Sequence, residues 1–315
     1  MKQPATSPKP FTVIGGFLGA GKTTLLNRIL RDARGTRFAV LVNDFGDVNI
    51  DVSLIESHDG TTMSLANGCI CCSLANGFIK TMIDLMRQPE NFDHIVVEAS
   101  GVSEPAKIMD FARIDRELDP DGIIVLVDAT SFNERLVDGK LTSILTNQIR
   151  SADLLILNKV DEASAEEIKQ VRSSLGELAG GTPVVETSHA AVPLGIVLGV
   201  DAGAVQSADD SVPAIDSVHS HAEMLFHTAT LTFDRPIERP AFDKFTEEMP
   251  SGILRAKGFV NLEGKTFLWQ KVGASAQLTP SGNRQCEDTK IVLIGTSEID
   301  DRPLLKLLDP EQVSA

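Results

Sequence analysis

Short apolar runs alternate with helical stretches from residue 11 to about residue 188. The runs are rich in Val, Ile and Leu, which is typical of strands that are buried on both faces of a parallel sheet. Six strands are predicted, at residues 12–15, 38–43, 94–99, 122–128, 153–158 and 183–187. Helices are predicted between them, at 22–33, about 74–87, 105–114, 141–152 and 165–179. This alternation predicts an α/β domain with a doubly wound, mainly parallel sheet.

The pattern changes after residue 199. Residues 199–218 carry four aspartates among small residues, a composition that is typical of a solvated linker. Beyond it, strands are predicted at 227–233, 253–262, 266–272, 276–279 and 290–295, and helices at 239–248 and 303–308. This order predicts a small antiparallel sheet with two helices. The predicted organisation is a first domain at 1–200, a linker at 201–222 and a second, smaller α+β domain at 223–315.

Composition and charge indicate a two-domain globular protein and argue against nucleic-acid-binding and membrane proteins. At 315 residues the chain is long enough for two domains, and 42% hydrophobic residues are sufficient for a buried core. The formal net charge of −15 repels the phosphates of nucleic acids and anionic lipid surfaces. The amino terminus is polar, and no later run approaches the roughly 18 apolar residues of a membrane helix. We therefore expect a cytoplasmic protein, mature as written, that binds neither nucleic acid nor membranes.

A phosphate-binding motif follows the first predicted strand. Residues 16–23 read Gly-Phe-Leu-Gly-Ala-Gly-Lys-Thr, which fits the P-loop pattern G-x-x-x-x-G-K-[ST] and opens a helix as that motif requires. Backbone amides of such a loop surround the phosphates, Lys22 reaches the β and γ oxygens, and the Thr23 hydroxyl is a ligand of Mg²⁺. The alternative is a glycine-rich turn without a nucleotide. The first domain is thus predicted to be a P-loop domain.

The fifth predicted strand ends in Asn158-Lys159-Val160-Asp161, the N-K-x-D pattern of guanine-specific P-loop proteins. Asp161 can accept hydrogen bonds from guanine N1–H and the exocyclic amine, Asn158 can bond the base edge, and the Lys159 stem can pack over the ring. Adenine offers neither of those two donors, so a buried carboxylate would be left unpaired against it. The sequence therefore predicts a preference for GTP over ATP. A backbone amide near Ser188, after the sixth strand, is expected to complete the base site.

Carboxylates also follow the second and third predicted strands. Glu98 ends the third strand, where it could hold Mg²⁺ through water or orient the attacking water, and the amide of Gly101 could sense the γ-phosphate. Asp44 and Asp47 follow the second strand, at the same edge of the sheet. The sequence leaves open which carboxylate serves Mg²⁺ and which serves a second metal. An N-cap or a surface carboxylate is the alternative role for Glu98.

Three of the four cysteines, Cys69, Cys71 and Cys72, lie within four positions, and Cys286 is distant. Three thiolates within reach of one another form a soft site suited to Zn²⁺ or Cu(I), or to Co²⁺ or Ni²⁺ with added N or O donors. A fourth ligand must come from elsewhere, and a carboxylate after the second strand, a histidine and water are the candidates. A buried thiol cluster and a redox dithiol are the alternatives, although the spacing is not C-x-x-C.

Taken together and in this order, these motifs closely resemble those of the CobW-type metal-transfer GTPases, and the resemblance spans nearly the whole chain. It implies a GTP-binding and GTP-hydrolysing metallochaperone that binds zinc or cobalt at the Cys-x-Cys-Cys element and delivers it to a client metalloprotein. The family commonly has Asn-Glu-Phe-Gly-Glu after the second strand, whereas Asp44 and Asp47 are each shorter by one methylene. The histidine-rich loop that is frequent in the family is reduced here to His219 and His221, whose role in metal binding stays open.

The resemblance and the motifs together give a set of candidate site residues. Those expected to act in catalysis are Lys22, Thr23 and Glu98. Those expected to bind GTP, GDP and Mg²⁺ are Gly19, Ala20, Gly21, Lys22, Thr23, Thr24, Gly101, Asn158, Lys159, Asp161 and Ser188. Those expected to bind the transferred Zn²⁺ or Co²⁺ are Cys69, Cys71, Cys72, Asp44 and Asp47.

The order of the motifs suggests a mechanism. GTP and Mg²⁺ are expected to order the segments around the second and third strands, so that the cysteines reach coordination geometry, and hydrolysis is expected to loosen them. Intrinsic turnover should be slow because no arginine finger is evident from the sequence. A regulatory GTPase switch with a structural cysteine cluster is one alternative, and a P-loop kinase, disfavoured by N-K-x-D, is another. The sequence leaves a homodimer open.

Overall fold

The chain divides into two compact units, Met1–Val192 and Pro193–Ala315, and each has its own hydrophobic core. The computed structural model describes residues 8–32, 36–42, 62–64, 77–198, 226–273, 275–281, 286–296 and 299–308. The division falls before residue 200, where the first domain was predicted to end, and the predicted linker at 201–222 lies outside the described residues. Within the described part, none of the helices has both the length and the apolar character to cross a bilayer.

The first unit is built on a parallel sheet of seven described strands, in the spatial order β3-β2-β4-β1-β5-β6-β7. They are β1 (Lys9–Gly16), β2 (Phe38–Val42), β3 (Thr62–Ser64), β4 (His94–Glu98), β5 (Leu118–Asp128), β6 (Leu154–Asn158) and β7 (Val184–Glu186). Every neighbouring pair runs parallel, which confirms the predicted doubly wound sheet. The predicted number of six strands is wrong because β3 was missed. It is only three residues long and is formed by pairing with β2, not by an apolar run.

Helices connect these strands. They are α1 (Lys22–Arg31), α2 (Gly77–Met86), α3 (Pro105–Ile114), α4 (Phe132–Val137), α5 (Thr142–Ser151) and α6 (Ala165–Ala179), with a 3₁₀ turn at Pro89–Asn91. Helix α6 begins with a capping box, in which Ser164 Oγ accepts from the Glu167 amide and the Glu167 carboxylate accepts from the Ser164 amide, and it ends at Gly180 in the left-handed conformation. Helix α4 was not predicted, since it has only six residues and its main anchor is the buried ring of Phe132.

The strand order places the candidate site at one edge of this sheet. Strand β1 lies between β4 and β5, so the order reverses there, and ligands of such sheets bind outside the carboxyl ends of the strands at that reversal. Ile14 is in register with Glu98 on one side, and Gly16 is in register with Leu126 on the other. The carboxyl ends of these strands are therefore level with the start of the phosphate-binding loop.

The second unit contains an antiparallel sheet in the order β11-β10-β9-β12-β8. Its elements are α7 (Leu194–Leu198), β8 (His227–Phe233), α8 (Arg239–Glu247), β9 (Ile253–Leu262), β10 (Lys265–Val272), β11 (Ser275–Pro280), β12 (Thr289–Gly295) and α9 (Asp301–Leu308). The second, smaller α+β fold is therefore as predicted. The rings of Phe242 and Phe245 pack against the buried Trp269 at centroid distances of 5.5 and 5.6 Å. Helix α7 was not predicted; buried Arg255 donates to the carbonyls of Ile196 and Val197, which fixes this short helix to β9.

Candidate functional site

The loop at residues 16–23 joins β1 to α1 and has the backbone of a phosphate-binding turn. Gly21, at the start of α1, has φ of 105°, and a Cβ atom there would lie 2.4 Å from Asn158 Nδ2, so only glycine fits. Gly19 has φ of 79°, and Ala20 is buried beneath the loop. Lys22 is 8% exposed and its ammonium donates to the carbonyl of Phe17 at 3.3 Å. The ammonium therefore lies over the loop, where a phosphate would sit.

Thr23 and Glu98 meet at the edge of the sheet. The Thr23 hydroxyl donates to Glu98 Oε1 at 3.1 Å, and Glu98 is only 3% exposed at the end of β4. These are oxygen donors of the kind that Mg²⁺ prefers, so the pair fits a magnesium site beside the phosphate loop. The next predicted residue, Thr24, is exposed on the first turn of α1.

The loop after β4 packs directly on the phosphate-binding loop. A Cβ atom at Gly101 would lie 2.8 Å from the backbone nitrogen of Leu18, so the absence of a side chain permits the close approach of the two loops. From α5, the buried amide of Gln148 donates to the carbonyls of Gly101 and Ser103, at 3.1 and 2.9 Å. The hydroxyl of Ser100, the residue before Gly101, is buried and has no hydrogen-bond partner among the described residues. The loop after β4 is therefore held by the phosphate-binding loop on one side and by α5 on the other, and the Ser100 hydroxyl is its one side-chain oxygen without a partner among the described residues.

Asn158 joins the phosphate-binding loop to the base site. Its side-chain amide donates to the Ala20 carbonyl at 2.9 Å, and its carbonyl oxygen accepts from the Ala190 amide at 2.9 Å. The side chain is 2% exposed. Asn158 thus links the phosphate-binding loop to the loop that contains Ala190.

Lys159 forms an ion pair with Asp128, at the end of β5, with Nζ 2.7 Å from Oδ2. Asp128 Oδ1 also accepts from the amide and hydroxyl of Thr130, at 3.0 and 2.7 Å. Burial alone would raise the pKa of Asp128, but the hydrogen bonds from Lys159 and Thr130 outweigh it and hold that pKa below the usual value for Asp. The ion pair fixes the Lys159 stem across the site predicted for the base.

Asp161 lies at the open side of this site. A hydrogen bond from Ser188 holds the pKa of the Asp161 carboxyl below its usual value, and His189 Nε2 is 3.6 Å from Asp161 Oδ2. His189 and Ala190 both have φ of 52° and Lys159 has φ of 63°. Three of the four non-glycine residues with positive φ in the described chain therefore lie here, and such strained backbone is concentrated at ligand sites.

An arginine that the motifs did not indicate also reaches the phosphate-binding loop. Arg135 Nη1, on α4, donates to the Leu18 carbonyl at 3.1 Å, and its guanidinium lies 5.1 Å from the centre of the Phe17 ring. Neither Arg135 nor Gln148 belongs to a sequence motif, so nothing in the sequence marked them. Asp128 could have been identified from the sequence, because, like Glu98, it is a carboxylate at the carboxyl end of a buried strand.

The predicted metal ligands are not among the described residues. Cys69, Cys71, Cys72, Asp44 and Asp47 all lie outside them, as do His219 and His221. In the described ranges, no group of three or more His, Cys, Asp or Glu side chains is arranged to hold a metal ion. Cys286 is a free thiol of the second unit, and its amide donates to the Thr266 hydroxyl. The structure thus brings together residues that are predicted to bind the nucleotide, and the metal ligands stay predictions.

Comparisons with known proteins match both units of the chain. A family model described as the CobW/HypB/UreG nucleotide-binding domain matches residues 10–186, and one described as the cobalamin synthesis protein cobW C-terminal domain matches residues 226–310. The zinc chaperone CobW of Pseudomonas aeruginosa is 30% identical, over 95% of this chain and 90% of that protein. The zinc-regulated GTPase metalloprotein activator 1 of Schizosaccharomyces pombe is 36% identical, over 58% of this chain and 46% of that protein. The crystal structure of the Zn(II)-bound YjiA GTPase from E. coli is similar at 23% identity and a TM-score of 0.47, over 96% of this chain and 99% of that one.

Proposed function

Because the chain belongs to the CobW/HypB/UreG family and carries both the nucleotide-binding domain and the CobW carboxyl-terminal domain, we propose that it is a GTP-hydrolysing metallochaperone. It binds a transition metal, zinc or cobalt, at the Cys-x-Cys-Cys element and delivers it to a client protein in a nucleotide-dependent way. The observation that carries this proposal is that two side chains connect the phosphate-binding loop to the other parts of the site. Thr23 bonds Glu98 at the end of β4, and Asn158 bonds both the phosphate-binding loop and the loop expected to hold the base. A zinc chaperone that matches this chain nearly end to end supports the metal role.

The phosphates of GTP are held at the amino terminus of α1. The amides of residues 19–24 and the Lys22 ammonium bind them, since both lie at the mouth of the loop. Thr23 and Glu98 would hold Mg²⁺, and their present hydrogen bond would give way to shared coordination, directly or through water. When bound, Mg²⁺ offsets the negative charge that develops on the phosphoryl oxygens.

Guanine is selected by the carboxylate of Asp161. An Asp carboxylate is ionised at neutral pH, and an ionised carboxylate accepts from both N1–H and the exocyclic amine of guanine. The Lys159 stem, fixed by Asp128, supports the face of the base, and the loop at Ser188 closes the site. Adenine would leave the carboxylate unpaired.

Hydrolysis is proposed to be slow and to trigger release of the metal. Glu98 is placed to orient the attacking water as well as to serve Mg²⁺, and the Gly101 loop is placed to sense the γ-phosphate because it contacts Leu18. Asp44 and Asp47 follow β2 in the sequence, and Val42, the last residue of β2, is in register with Glu98. The three cysteines follow β3. The predicted metal ligands thus belong to segments that continue from β2, which lies beside β4 and Glu98, and from β3, which pairs with β2. This is the route that we propose for coupling.

The chain is proposed to work in the cytoplasm with a client metalloprotein as its partner. A homodimer is a further proposal, and sedimentation of the purified protein with and without zinc tests it. Neither nucleic acid nor a membrane has a role in this proposal, because the net charge of −15 opposes both.

The proposal is tested by zinc titration in each nucleotide state. We expect at least about tenfold different zinc affinity with a non-hydrolysable GTP analogue and with GDP, which corresponds to about 1.4 kcal/mol of coupling. Cys71→Ser should lower zinc affinity and remove the difference, while Cys286→Ser serves as the control, since that thiol lies in the second unit. Equal affinities in the two states would overturn the coupling. Cysteine variants that keep zinc binding would favour a regulatory switch instead.

A further inference from the structure

Arg135, on helix α4, contacts the phosphate-binding loop from outside the P-loop motif. Its Nη1 donates to the Leu18 carbonyl at 3.1 Å, and its guanidinium stacks on Phe17 at 5.1 Å from the ring centre. Among the described residues it forms no ion pair. The Arg135 guanidinium, which is not paired with any described carboxylate, is therefore hydrogen-bonded to the phosphate-binding loop. That loop is expected to hold the phosphates, which carry the negative charge of the nucleotide.

The residue that Arg135 contacts belongs to the loop that is expected to hold the β- and γ-phosphates. Leu18 is the third residue of the eight-residue motif, and the backbone of that motif cradles the β- and γ-phosphates. Gly101, whose amide is proposed to sense the γ-phosphate, packs on the same residue. Lys22 reaches the loop through the Phe17 carbonyl. Arg135 and Lys22 thus approach the Phe17–Leu18 segment with two separate positive charges.

The position of Arg135 is built into the fold. Helix α4 follows β5 after a turn in which Asp128 accepts two hydrogen bonds from Thr130, and Phe132 is buried against the core. Asp128 is in turn paired with Lys159. The backbone of Arg135 is therefore anchored, while its side chain, which is only partly buried, makes contacts that a stronger ligand can replace.

We propose that Arg135 is a catalytic residue for GTP hydrolysis, an arginine finger supplied by the same chain, and this rests on the proposed GTPase function. On GTP binding, its guanidinium leaves the Leu18 carbonyl and binds oxygens of the γ-phosphoryl group. In the reaction a water oxygen bonds to the γ-phosphorus as the bond from the γ-phosphorus to the β–γ bridging oxygen breaks. The electron pair of that bond stays with GDP, and both protons of the water leave with inorganic phosphate, as H₂PO₄⁻, which then exchanges protons with the solvent. The guanidinium stabilises the charge that builds up on the γ-phosphoryl and bridging oxygens.

A purely structural role for Arg135 makes a different prediction. If the guanidinium only clamps Leu18 and Phe17, its loss should weaken GDP and GTP binding together and lower the melting temperature. If it acts on the transition state, nucleotide affinity stays the same and only the chemical step slows. The two roles are therefore separated by measuring binding and single-turnover hydrolysis on the same protein.

The test uses the full chain with Mg²⁺, in variants Arg135→Ala, Arg135→Lys and Arg135→Gln. Arg150→Ala is the matched control, because it removes the same charge from an exposed position on α5. Arg135→Ala should slow single-turnover GTP hydrolysis at least about 1,000-fold, the lower end of the range known for arginine fingers, while GDP affinity changes less than about twofold. Arg135→Gln, which keeps a donor for Leu18 but not the charge, should be as slow. Arg135→Lys should recover part of the rate.

A second readout is the complex with GDP and fluoroaluminate, a mimic of the transferring phosphoryl group. Wild type and Arg150→Ala should form it, and Arg135→Ala should not. Hydrolysis by Arg135→Ala at the wild-type rate, or a slowing matched by an equal loss of GDP affinity, would overturn the role of Arg135. A wild-type chain that does not hydrolyse GTP at all would instead overturn the GTPase proposal itself, so the two failures are distinguishable.

Discussion

At the scale of single residues, the proposed nucleotide site depends on side chains that each bond two partners. Asn158 bonds Ala20 and Ala190, and Asp128 bonds Lys159 and Thr130. Each bond is worth only about 1 kcal/mol net, but an orphaned buried partner costs about 1–3 kcal/mol. The same few contacts therefore position both the phosphate-binding loop and the loop expected to hold the base. A substitution that shifts one of these loops should also shift the other.

Asp161→Asn should change which base is preferred. Guanine presents two donors to the carboxylate, whereas xanthine presents the N1–H donor and the O2 acceptor, which match the acceptor and the donor of an amide. We expect GTP affinity to fall by at least about 100-fold and XTP to become the better ligand, since a buried donor would face a donor in the GTP complex. Competition binding with fluorescent GDP measures this. Glu162→Gln, a neighbouring exposed position, is the control, and a variant that weakens GTP and XTP equally would contradict the proposed role.

Asp128→Asn should destabilise the first unit in a pH-dependent way. The folded pKa of Asp128 is below the unfolded value near 3.9, so its ionised form stabilises the fold above that value, and this stabilisation is lost as the pH falls through the folded pKa. At pH 7 we expect a loss of about 1–3 kcal/mol in the free energy of unfolding, because the amide no longer pairs with Lys159. Urea unfolding at pH 7, 4 and 3 measures it. The difference from wild type should shrink at pH 3, and the exposed Asp110→Asn should show little effect at any pH.

At the scale of helices, strands and loops, the sequence predicted those elements that have an apolar periodicity or a motif of their own. The strands of both sheets except β3, and helices α3 and α6, were located from such runs, and motif spacing predicted the phosphate-binding loop and the role of Asn158. β3, α4 and α7 were missed because each is short and depends on a partner: β2 for β3, Phe132 in the core for α4, and Arg255 for α7. Arg135 and Gln148 could not be predicted for the same reason, since their roles come from which loop the fold places beside them.

Gln148→Leu should loosen the loop that follows β4. The leucine has a similar volume, but the carbonyls of Gly101 and Ser103 lose their donor from α5, which costs about 1–3 kcal/mol for each buried group left unpaired. Because Gly101 packs on Leu18, we expect the preference for a GTP analogue over GDP to fall several-fold while the preference for guanine over adenine is retained. Calorimetric titration with each nucleotide measures both. Gln170→Leu, exposed on α6, is the control; an unchanged preference for the GTP analogue would contradict a sensing role for this loop.

At the scale of the whole molecule, a chain of net charge −15 has to bind a polyanionic nucleotide. The Debye length at physiological salt is about 8 Å, so distant carboxylates are largely screened and local charges dominate. Those local charges are Lys22, the amino terminus of α1 and the expected Mg²⁺. Nucleotide affinity should therefore depend on this cluster far more than on the overall charge.

The two units should respond differently to nucleotide in thermal unfolding. Each has its own core, and all described residues of the proposed nucleotide site lie in the first unit, so GDP with Mg²⁺ should stabilise that unit alone. At a concentration 100 times the dissociation constant, binding adds about 2.7 kcal/mol, which raises the melting temperature of a unit of this size by about 5–10 °C. Scanning calorimetry should show one transition that moves with GDP and one that moves less than about 1 °C, while ADP moves neither. If GDP moved both transitions together, the two units would unfold as one cooperative body, and nucleotide occupancy would be felt directly in the carboxyl-terminal domain.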